Sequence, residues 1–440
     1  MIERQNFTKV ISEWQLYDPP EVKPRDMNIP LNLDLIISIV GPRRAGKTFL
    51  MFNLIEKLRK EVPRSNILYV NFENEYLTGM KATDFDNLIS VFFEMSYPSD
   101  EYPVYLFLDE IQVVEDWSKW LNRIYESKKY KIFISGSSSK LLSRELATQL
   151  RGRTLDFTVL PFSFLEFLSL RSSTPKNKDA MLMSVNRGKI LSELREYMVH
   201  GGYPQVVLMS SYKEKLLRSY VDTMIIKDVG ERFHIEPSIL NVFVNYCVRT
   251  FSSPVSGTKI YRFLRSMNYS VAHDFPLKLL SDFSEVFFLY TVEIVSKSFK
   301  KSSQYPKKLY VVDSGIVNEL TNTFDMGKVM ENVVFIELIR RLNSTGKFRI
   351  NYWKEYGKAD GLEVDFVISS GTEISELINV TYAGSEGEIR DREIKSLIKA
   401  SKELGCNKLT IITWDYLKEG EINYIPLWYW LLSGHESGMA

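Results

Sequence analysis

The stretch that decides the fold is Leu35–Phe52, which reads LIISIVGPRRAGKTFLMF. Its first six residues form a continuous apolar run rich in branched side chains, which is typical of a buried parallel strand. The segment Thr48–Val62 carries apolar residues at helical spacing and charges in its last turns. The stretch therefore predicts a strand and a helix joined by a loop that contains two glycines.

This loop matches the pattern Gly-x-x-x-x-Gly-Lys-Thr of a phosphate-binding loop. Glycines allow backbone N–H groups to approach phosphate oxygens, and the helix N-terminus adds a partial positive charge. Lys47 can reach the β- and γ-phosphates of ATP, and the Thr48 hydroxyl can ligate Mg²⁺. We therefore expect ATP and Mg²⁺ as cofactors. The predicted cofactor-binding residues are Gly41, Pro42, Arg43, Arg44, Ala45, Gly46, Lys47 and Thr48.

A second motif, Pro103–Gln112, places two acids after an apolar run. Asp109 is predicted to hold Mg²⁺ together with Thr48. Glu110 is predicted to orient and deprotonate the attacking water. Since another strand, Asn66–Asn74, lies between the two motifs in sequence, we do not expect their strands to be joined by a simple crossover. Five strands with intervening helices predict a parallel α/β sheet with nucleotide at its carboxyl edge.

Two further groups near this edge have alternative interpretations. Ser137 or Ser138, which follow a third strand, could contact the γ-phosphate or the water, although serine and glycine are also ordinary turn residues. Arg151 and Arg153 precede the next strand and could reach the γ-phosphate of a neighbouring subunit, or form a solvated basic turn. The loop motif itself requires neither Arg43 nor Arg44. We therefore expect these two arginines to face a lid or a neighbouring subunit.

Several segments together resemble a known family: GPRRAGKT, LDEIQ followed by Trp117, SGSSSKLL, RGR, LPFSFLEFL, HGGYPQVV and the closing EINYIPLWYWLL. The chain resembles AAA-type ATPases of archaea and bacteria that carry a winged-helix segment and a C-terminal domain related to restriction endonucleases. The resemblance implies an α/β fold: a P-loop ATPase sheet with a helical lid, a winged-helix domain and a nuclease-like domain. The expected boundaries are an N-terminal strap at 1–34, the ATPase core at 35–160, the lid at 161–230, the winged helix at 231–322 and the nuclease-like domain at 323–440.

The middle of the chain is predicted to be helical, with a break at Gly201–Pro204 that we interpret as a turn rather than a nucleotide contact. Ser238, Ser256 and Ser270 are the candidate caps of three successive helices. Two strands follow, and three helices with a hairpin form a winged helix, which usually places its third helix in a DNA major groove.

A loop without acids, Ser296–Lys308, connects these two strands. Its positive charges are expected at the tip of the wing, where they could contact DNA phosphates without reading bases. The alternative is an ordinary solvated loop. The predicted nucleic-acid contacts are Lys297, Lys300, Lys301, Lys307 and Lys308.

The C-terminal segment has the order helix, hairpin, strand, helix, strand, which resembles the core of PD-(D/E)xK nucleases. Glu331 on the helix and Asp365 on the hairpin, near Glu363, match its acids. The Glu-x-Lys element is missing: the strand offers Asn379-Val380-Thr381 or Glu376-Leu377-Ile378 instead. Lys354 or Lys358 could substitute from the hairpin. The sequence favours a degenerate nuclease site, Glu331 with Asp365, kept for DNA or protein contacts.

Composition excludes few functions. The 56 Lys and Arg residues nearly balance the 55 Asp and Glu residues, so a nucleic-acid surface must come from local clustering. We expect no membrane span, and two distant cysteines predict a reducing cytoplasm. The leading hypothesis is an oligomeric, Mg²⁺-dependent ATPase acting on duplex or branched DNA. The alternatives are an ATP-dependent signalling or assembly switch with a protein partner, and an ATP-dependent nuclease.

Overall fold

The computed structural model describes residues 2–23, 25–137, 150, 152–171, 173, 183–296, 305–321, 325–346, 348–355 and 361–433. The chain divides into two compact units, Met1–Val159 and Leu160–Ala440. Within the described residues, no helix is both long enough and apolar enough to cross a membrane.

The first unit is a parallel sheet flanked by helices. Its helices are α1 (Arg4–Leu16), α2 (Lys47–Leu58), α3 (Phe85–Ser96) and α4 (Trp117–Glu126). Its strands are β1 (Ile36–Val40), β2 (Ile67–Asn71), β3 (Val104–Asp109), β4 (Tyr130–Gly136) and β5 (Thr154–Thr158).

The strand order in this sheet is β2-β3-β4-β1-β5, and all neighbouring strands are parallel. The two motif strands β1 and β3 are therefore not paired, because β4 lies between them. All residues of β1 and β3 are buried, as their mainly apolar sequences predict. This order brings the carboxyl ends of β1, β3 and β4 to one edge, where the predicted site residues lie.

Helix α1 belongs to this unit, although the sequence indicated only a strap there. Its buried residues are Phe7, Val10, Ile11 and Trp14, and it packs on α3 and β2. The Trp14 indole Nε1 donates a hydrogen bond of 2.9 Å to the carbonyl of Ile67 in β2. The ring of Trp14 also contacts the ring of Tyr69, with 5.3 Å between centroids. The N-terminal segment thus adds a layer over the edge strand of the sheet.

The second unit is mixed. Its helices are α5 (Phe164–Leu170), α6 (Ser184–His200), α7 (Pro204–Leu208), α8 (Lys213–Thr223), the π-helical Met224–Glu231, α9 (Pro237–Arg249), α10 (Gly257–Ser266), α11 (Phe275–Glu285), α12 (Ser314–Leu320), α13 (Met326–Thr345), α14 (Asp391–Leu404) and α15 (Leu427–Ser433). Its strands are β6 (Ser253–Val255), β7 (Leu289–Val292), β8 (Lys307–Val311), β9 (Arg349–Lys354), β10 (Glu363–Ser370), β11 (Glu373–Val380), β12 (Leu409–Thr413) and β13 (Ile422–Pro426).

The first sheet of this unit is antiparallel, in the order β6-β8-β7. Along the chain, the helix α9 precedes β6, and the helices α10 and α11 lie between β6 and β7. The Ser256 hydroxyl caps α10 by accepting a 3.2 Å hydrogen bond from the Lys259 N–H, as predicted. The other two cap predictions are wrong. Helix α9 begins at Pro237 and α11 at Phe275, both with proline in the first turn, where proline costs no helical hydrogen bond.

The second sheet has the order β13-β12-β11-β10-β9. Strands β9, β10 and β11 are antiparallel, as the predicted hairpin requires, whereas β11, β12 and β13 are parallel. Strand β13 was not predicted. Apolar residues from Leu160 to Leu432 form one cluster that runs through this unit, so its helical, antiparallel and C-terminal parts share a core.

Candidate nucleotide site and carboxylate cluster

The loop between β1 and α2 is shaped by a close backbone approach. Gly41 has a φ of 147°, and a Cβ atom there would lie 2.1 Å from the carbonyl oxygen of Val159. The Val159 N–H donates to the Val40 carbonyl at 2.7 Å, so the end of β5 rests against the start of the loop. Gly46 precedes α2 in the left-handed region, with a φ of 98°. Because side chains rarely tolerate these conformations, both positions require glycine.

Lys47 is buried at the start of α2 and points back into the loop. Its Nζ donates to the carbonyl oxygens of Gly41 and Pro42, at 3.2 Å each. The same nitrogen lies 3.5 Å from Glu110 Oε1. Lys47 therefore joins the phosphate-binding loop to the acidic end of β3.

Three hydroxyl groups converge on Asp109, which is fully buried. Thr48 Oγ1 donates to Asp109 Oδ2 at 2.7 Å, and the Tyr69 hydroxyl donates to the same oxygen at 2.8 Å. The Ser135 hydroxyl donates to Oδ1. Burial raises the pKa of Asp109, and the hydroxyl donors oppose that effect. The carboxylate is thus held by neutral donors from α2, β2 and β4.

Sequence reasoning missed Tyr69 and Ser135. Ser137, which is predicted to contact the γ-phosphate or the water, directly follows β4 and is buried at the same edge. Ser135, two residues earlier, contacts Asp109. Ser138 lies outside the described residues.

Glu110 follows Asp109 with a left-handed φ of 52°, which turns its side chain towards the loop. Its backbone N–H donates to Ser135 Oγ at 3.0 Å, and the Gln112 amide donates to Glu110 Oε2 at 2.5 Å. Burial alone would raise the pKa of Glu110, but nearby Lys47 and the Gln112 hydrogen bond lower it below the ordinary value. An ionised carboxylate in this place can accept a proton from water.

The Thr48 hydroxyl and Asp109 carboxylate have the oxygen chemistry that Mg²⁺ prefers, and they lie 2.7 Å apart. Among the described residues there is no cluster of three or more His, Cys, Asp or Glu side chains able to hold a metal ion. Mg²⁺ in nucleotide sites commonly has one or two carboxylates and takes further ligands from phosphates and water. The residues present therefore fit Mg²⁺ carried with a nucleotide.

The arginines of the loop differ in their surroundings. Arg43 Nη1 lies 3.3 Å from Glu73 Oε1, and Arg44 is exposed with a φ of 67°. Arg25, which was not predicted, donates from Nη1 to the Ala45 carbonyl at 2.9 Å. The strap before β1 thus supports the loop from its outer side.

Arg153 precedes β5 and lies at the amino edge of the sheet, opposite the phosphate-binding loop. Its Nη2 contacts Glu126 at 2.9 Å, and its guanidinium lies over the ring of Tyr125. Arg153 therefore cannot reach the nucleotide site of its own subunit. Arg151 lies outside the described residues.

The structure changes the interpretation of the predicted lysine loop. Lys297, Lys300 and Lys301 lie outside the described residues. Lys307 pairs with Glu293 at 2.7 Å. The prediction for Lys308 is wrong: its side chain is only 1% exposed, so it cannot contact a nucleic acid.

Lys308 Nζ instead contacts three carboxylates: Glu331 at 2.9 Å, Glu363 at 2.8 Å and Asp365 at 2.7 Å. We call Lys308, Glu331, Glu363 and Asp365 the carboxylate cluster. Burial alone would lower the pKa of Lys308, but Asp365 and Glu331 raise it well above its ordinary value. The predicted nuclease-like acids therefore do meet, around a lysine from β8.

The other candidate lysine and the missing motif have structural partners. Lys354 Nζ lies 2.7 Å from Glu363 Oε2, on the far side of that carboxylate from Lys308, and Lys358 lies outside the described residues. Asn379 Oδ1 accepts from the Asp365 N–H at 3.1 Å, and Asp365 Oδ2 accepts from the Val380 N–H at 2.9 Å. The strand that lacks the motif lysine thus positions Asp365.

The break at Gly201–Pro204 is a turn held by Asp313. The Asp313 carboxylate accepts from the N–H groups of Gly202, at 2.7 Å, and Gly315, at 2.9 Å. A Cβ atom on Gly201, whose φ is 74°, would lie 1.8 Å from Asp313 Oδ1. Burial raises the pKa of Asp313 to about 6, against these hydrogen bonds. The glycines therefore make room for a buried acid.

Comparison with family models divides the chain into three matches. Residues 34–168 match the model of an AAA domain. Residues 191–326 and 326–430 match two domains of unknown function, DUF8612 and DUF4143. The first unit is accordingly an AAA-type P-loop domain.

Two full-length relatives are similar along nearly the whole chain. The uncharacterized protein MJ1544 of Methanocaldococcus jannaschii is 32% identical over 438 residues, covering 96% of this chain and 94% of that one. An uncharacterized protein of Haemophilus influenzae is 31% identical over 444 residues, covering 98% of this chain and 99% of that one. The chain belongs to the family of these two proteins, and its N-terminal part is an AAA domain.

Similar solved structures include the Aeropyrum pernix ORC1 protein in complex with DNA, with a TM-score of 0.30 and 11% identity, covering 72% of this chain and 90% of that one. Another is the Thermotoga maritima RuvB Holliday junction branch migration motor, with a TM-score of 0.28 and 15% identity, covering 62% and 87%. At these scores neither likeness carries an argument about function.

Proposed function

We propose that this member of the AAA-domain family is a Mg²⁺-dependent ATPase that acts on DNA as an oligomer. The observation that carries the ATPase proposal is the meeting of four groups at one edge of the sheet. Lys47 lies 3.5 Å from Glu110, and Thr48 lies 2.7 Å from Asp109. These are the cation, the metal-ligand pair and the base that hydrolysis of a phosphoanhydride requires.

Each group has a distinct task in this reaction. The backbone N–H groups at the start of α2 and the Lys47 ammonium bind the phosphates. Thr48 and Asp109 would hold Mg²⁺, which when bound supplies positive charge to the phosphate oxygens. Glu110 takes a proton as the water oxygen forms a bond to the γ-phosphorus and the bond from that phosphorus to the bridging oxygen of ADP breaks. The products are ADP, inorganic phosphate and a proton.

The base and the lysine are coupled before nucleotide binds. Lys47 donates to two loop carbonyls and lies close to Glu110, which the Gln112 amide also holds. A γ-phosphate would compete for the Lys47 ammonium and leave Gln112 as the remaining donor to Glu110. Phosphate binding would thereby free Glu110 Oε1 to accept a hydrogen bond from water.

The proposed oligomer rests on assigning Arg153 as an arginine finger. Because Arg153 lies at the opposite edge of the sheet from its own site, this assignment requires a neighbouring subunit whose site it would complete. A complementation experiment tests this arrangement with two inactive variants. Lys47→Ala subunits cannot bind ATP productively but offer Arg153, whereas Arg153→Ala subunits have the reverse defect. We expect ATP hydrolysis to appear on mixing; a mixture as inactive as its parts would contradict a trans arginine.

The DNA part of the proposal is supported by the second unit. The order of α9, β6, α10, α11, β7 and β8, with the sheet order β6-β8-β7, is the arrangement expected of a winged helix. The nuclease-like domain is proposed to be degenerate, because its acids are already ion-paired with the buried Lys308.

The experiment measures the ATP hydrolysis rate of the full chain with no DNA, with duplex DNA and with branched DNA. The wild type is compared with Lys47→Ala and Glu110→Gln as inactive controls. We expect DNA to stimulate hydrolysis in the wild type alone. Hydrolysis that is unaffected by every DNA form, with no DNA bound at low salt, would overturn the DNA proposal and favour a switch with a protein partner.

A further inference from the structure

Helix α10 presents a basic face. Ile260 and Leu264 are buried, four residues apart, and fix which side of the helix faces the core. Lys259, Arg262 and Arg265 are exposed on the other side. The helix, GTKIYRFLRS, contains no acidic residue. Its solvent side therefore carries three positive charges within seven residues, and the first and last of them are about 9 Å apart along the helix axis.

These three charges are not paired with acids in the part of the chain that the structure describes. Among the described residues, none of the three forms an ion pair with a carboxylate, and Arg265 donates only to the Ser270 hydroxyl, at 3.5 Å. Lys307 and Lys308 on strand β8 differ, since both are paired with acids. Of these five cations, the three on α10 are therefore the ones available to a partner.

A helix cap and packing contacts fix the position of α10. The Ser256 hydroxyl caps the helix, and the rings of Phe263 and Tyr246 pack at 4.6 Å between centroids. The start of α10 lies directly against α11, because a Cβ atom on Gly257 would meet the Leu277 side chain at 2.9 Å. A rigid helix loses little conformational entropy when its side chains bind a partner.

The exposed residues of α11 include few side chains that could distinguish one base sequence from another. They are Leu277, Lys278 and Ser281, with Asp274 just before the helix. This face offers one lysine but no arginine, asparagine or glutamine for a bidentate base contact. The basic surface of this region is therefore suited to phosphates rather than to base edges.

We propose that Lys259, Arg262 and Arg265 on α10 bind the phosphate backbone of duplex nucleic acid, independently of its sequence. The inference rests on the proposed action on DNA and assigns the contact to the second helix of the winged-helix-like region instead of the third. A duplex carries phosphates at about 3.4 Å of axial rise per strand, so the face spans two or three of them.

The test measures binding of a fluorescent 30-base-pair duplex by anisotropy, in 50–200 mM KCl. It compares the wild type with the triple variant Lys259→Ala/Arg262→Ala/Arg265→Ala. The control, Lys189→Ala/Lys395→Ala/Lys402→Ala, removes three exposed helical lysines elsewhere in the same unit. ATP binding and thermal unfolding of all three proteins are measured to establish that they are folded.

We expect the triple variant to bind more weakly and to reduce the slope of log K against log salt by about 1.8–2.7, since each of the two or three phosphate contacts contributes about 0.9. The control should keep the wild-type slope, and two unrelated duplex sequences should give equal affinities. A wild type that binds the duplex while the triple variant keeps its slope would overturn this inference alone. A wild type that binds no duplex even at 50 mM KCl would overturn the DNA action itself.

Discussion

The two units each place a buried lysine against carboxylates, and the two arrangements differ in what they leave available. In the nucleotide site, Lys47 lies 3.5 Å from one acid, and Asp109 is held by neutral hydroxyl groups. In the carboxylate cluster, Lys308 contacts three acids at 2.7–2.9 Å. The first lysine can exchange its partners for phosphate oxygens. The second is neutralised in place, and its removal would leave uncompensated buried charge.

This difference separates a reactive site from a structural one. A buried ion pair is strongly destabilising when one partner is removed, whatever its net contribution to stability. A substrate site instead needs charged groups whose protein partners can be replaced by the substrate. Neutral hydrogen-bond donors can position these charged groups. By this criterion the proposed ATPase chemistry belongs to the first unit, whereas the carboxylate cluster joins β8, α13 and β10.

The largest expected effect is that of Lys308→Met on stability. Without the ammonium, Glu331, Glu363 and Asp365 face one another in a buried environment, so unfolding should become easier by about 3–5 kcal/mol. The matched control is Lys307→Met, on the same strand, which loses one part-exposed pair and should cost less than about 1 kcal/mol. Denaturant unfolding followed by circular dichroism measures both. Equal losses would contradict the proposed role of Lys308.

The second prediction concerns pH and the buried Asp313. Burial raises its pKa from 3.8 to about 6, so the unfolded chain ionises this acid before the folded chain does. Its contribution to stability is therefore fully present below about pH 4 and is lost as the pH rises through about 6, by about 3 kcal/mol. We expect the stability difference between wild type and Asp313→Asn to shrink over this range. Thermal midpoints that stay equally separated from pH 4 to 7 would contradict it.

The smallest expected effect is that of Tyr69→Phe in the nucleotide site. Its hydroxyl shares Asp109 Oδ2 with Thr48, and it would remain the donor to that oxygen when Thr48 turns to Mg²⁺. Loss of one such bond is worth about 1 kcal/mol, so the Mg²⁺ concentration for half-maximal ATP binding should rise about fivefold.

Fluorescent ATP analogues, titrated with and without Mg²⁺, measure this requirement directly. Metal-free binding should be unchanged in Tyr69→Phe. The matched control is Tyr105→Phe, which loses an equivalent hydrogen bond of 2.7 Å to Asn32, away from Asp109. If the Mg²⁺ concentration for half-maximal ATP binding rose equally in both variants, Tyr69 would contribute only to stability.

The nucleotide site was largely predictable because its groups are encoded in short contiguous motifs. The loop from Gly41 to Thr48 and the pair Asp109–Glu110 each follow an apolar strand, and parallel strands bring such ends together. Tyr69 and Ser135 have no comparable signal. They reach Asp109 only because β2 and β4 are the two neighbours of β3, an order that depends on the whole sheet.

Lys308 shows the opposite case, in which local sequence was misleading. A lysine-rich run indicates a solvated loop, but β8 begins at Lys307, and all its residues from Lys308 to Val311 are buried. Its partners Glu331 and Asp365 lie 23 and 57 residues further along the chain. The basic face of α10 was not predicted, although its sequence contains three cations at helical spacing and no acid.

The measurement that tests the account most directly compares ATP turnover and ATP affinity in the wild type and Glu110→Gln. Because Glu110 is assigned to proton transfer and Lys47 with the loop to binding, turnover should fall by about 10²–10⁴-fold while the dissociation constant for ATP stays unchanged. A Glu110→Gln protein that hydrolyses ATP at the wild-type rate would contradict the account.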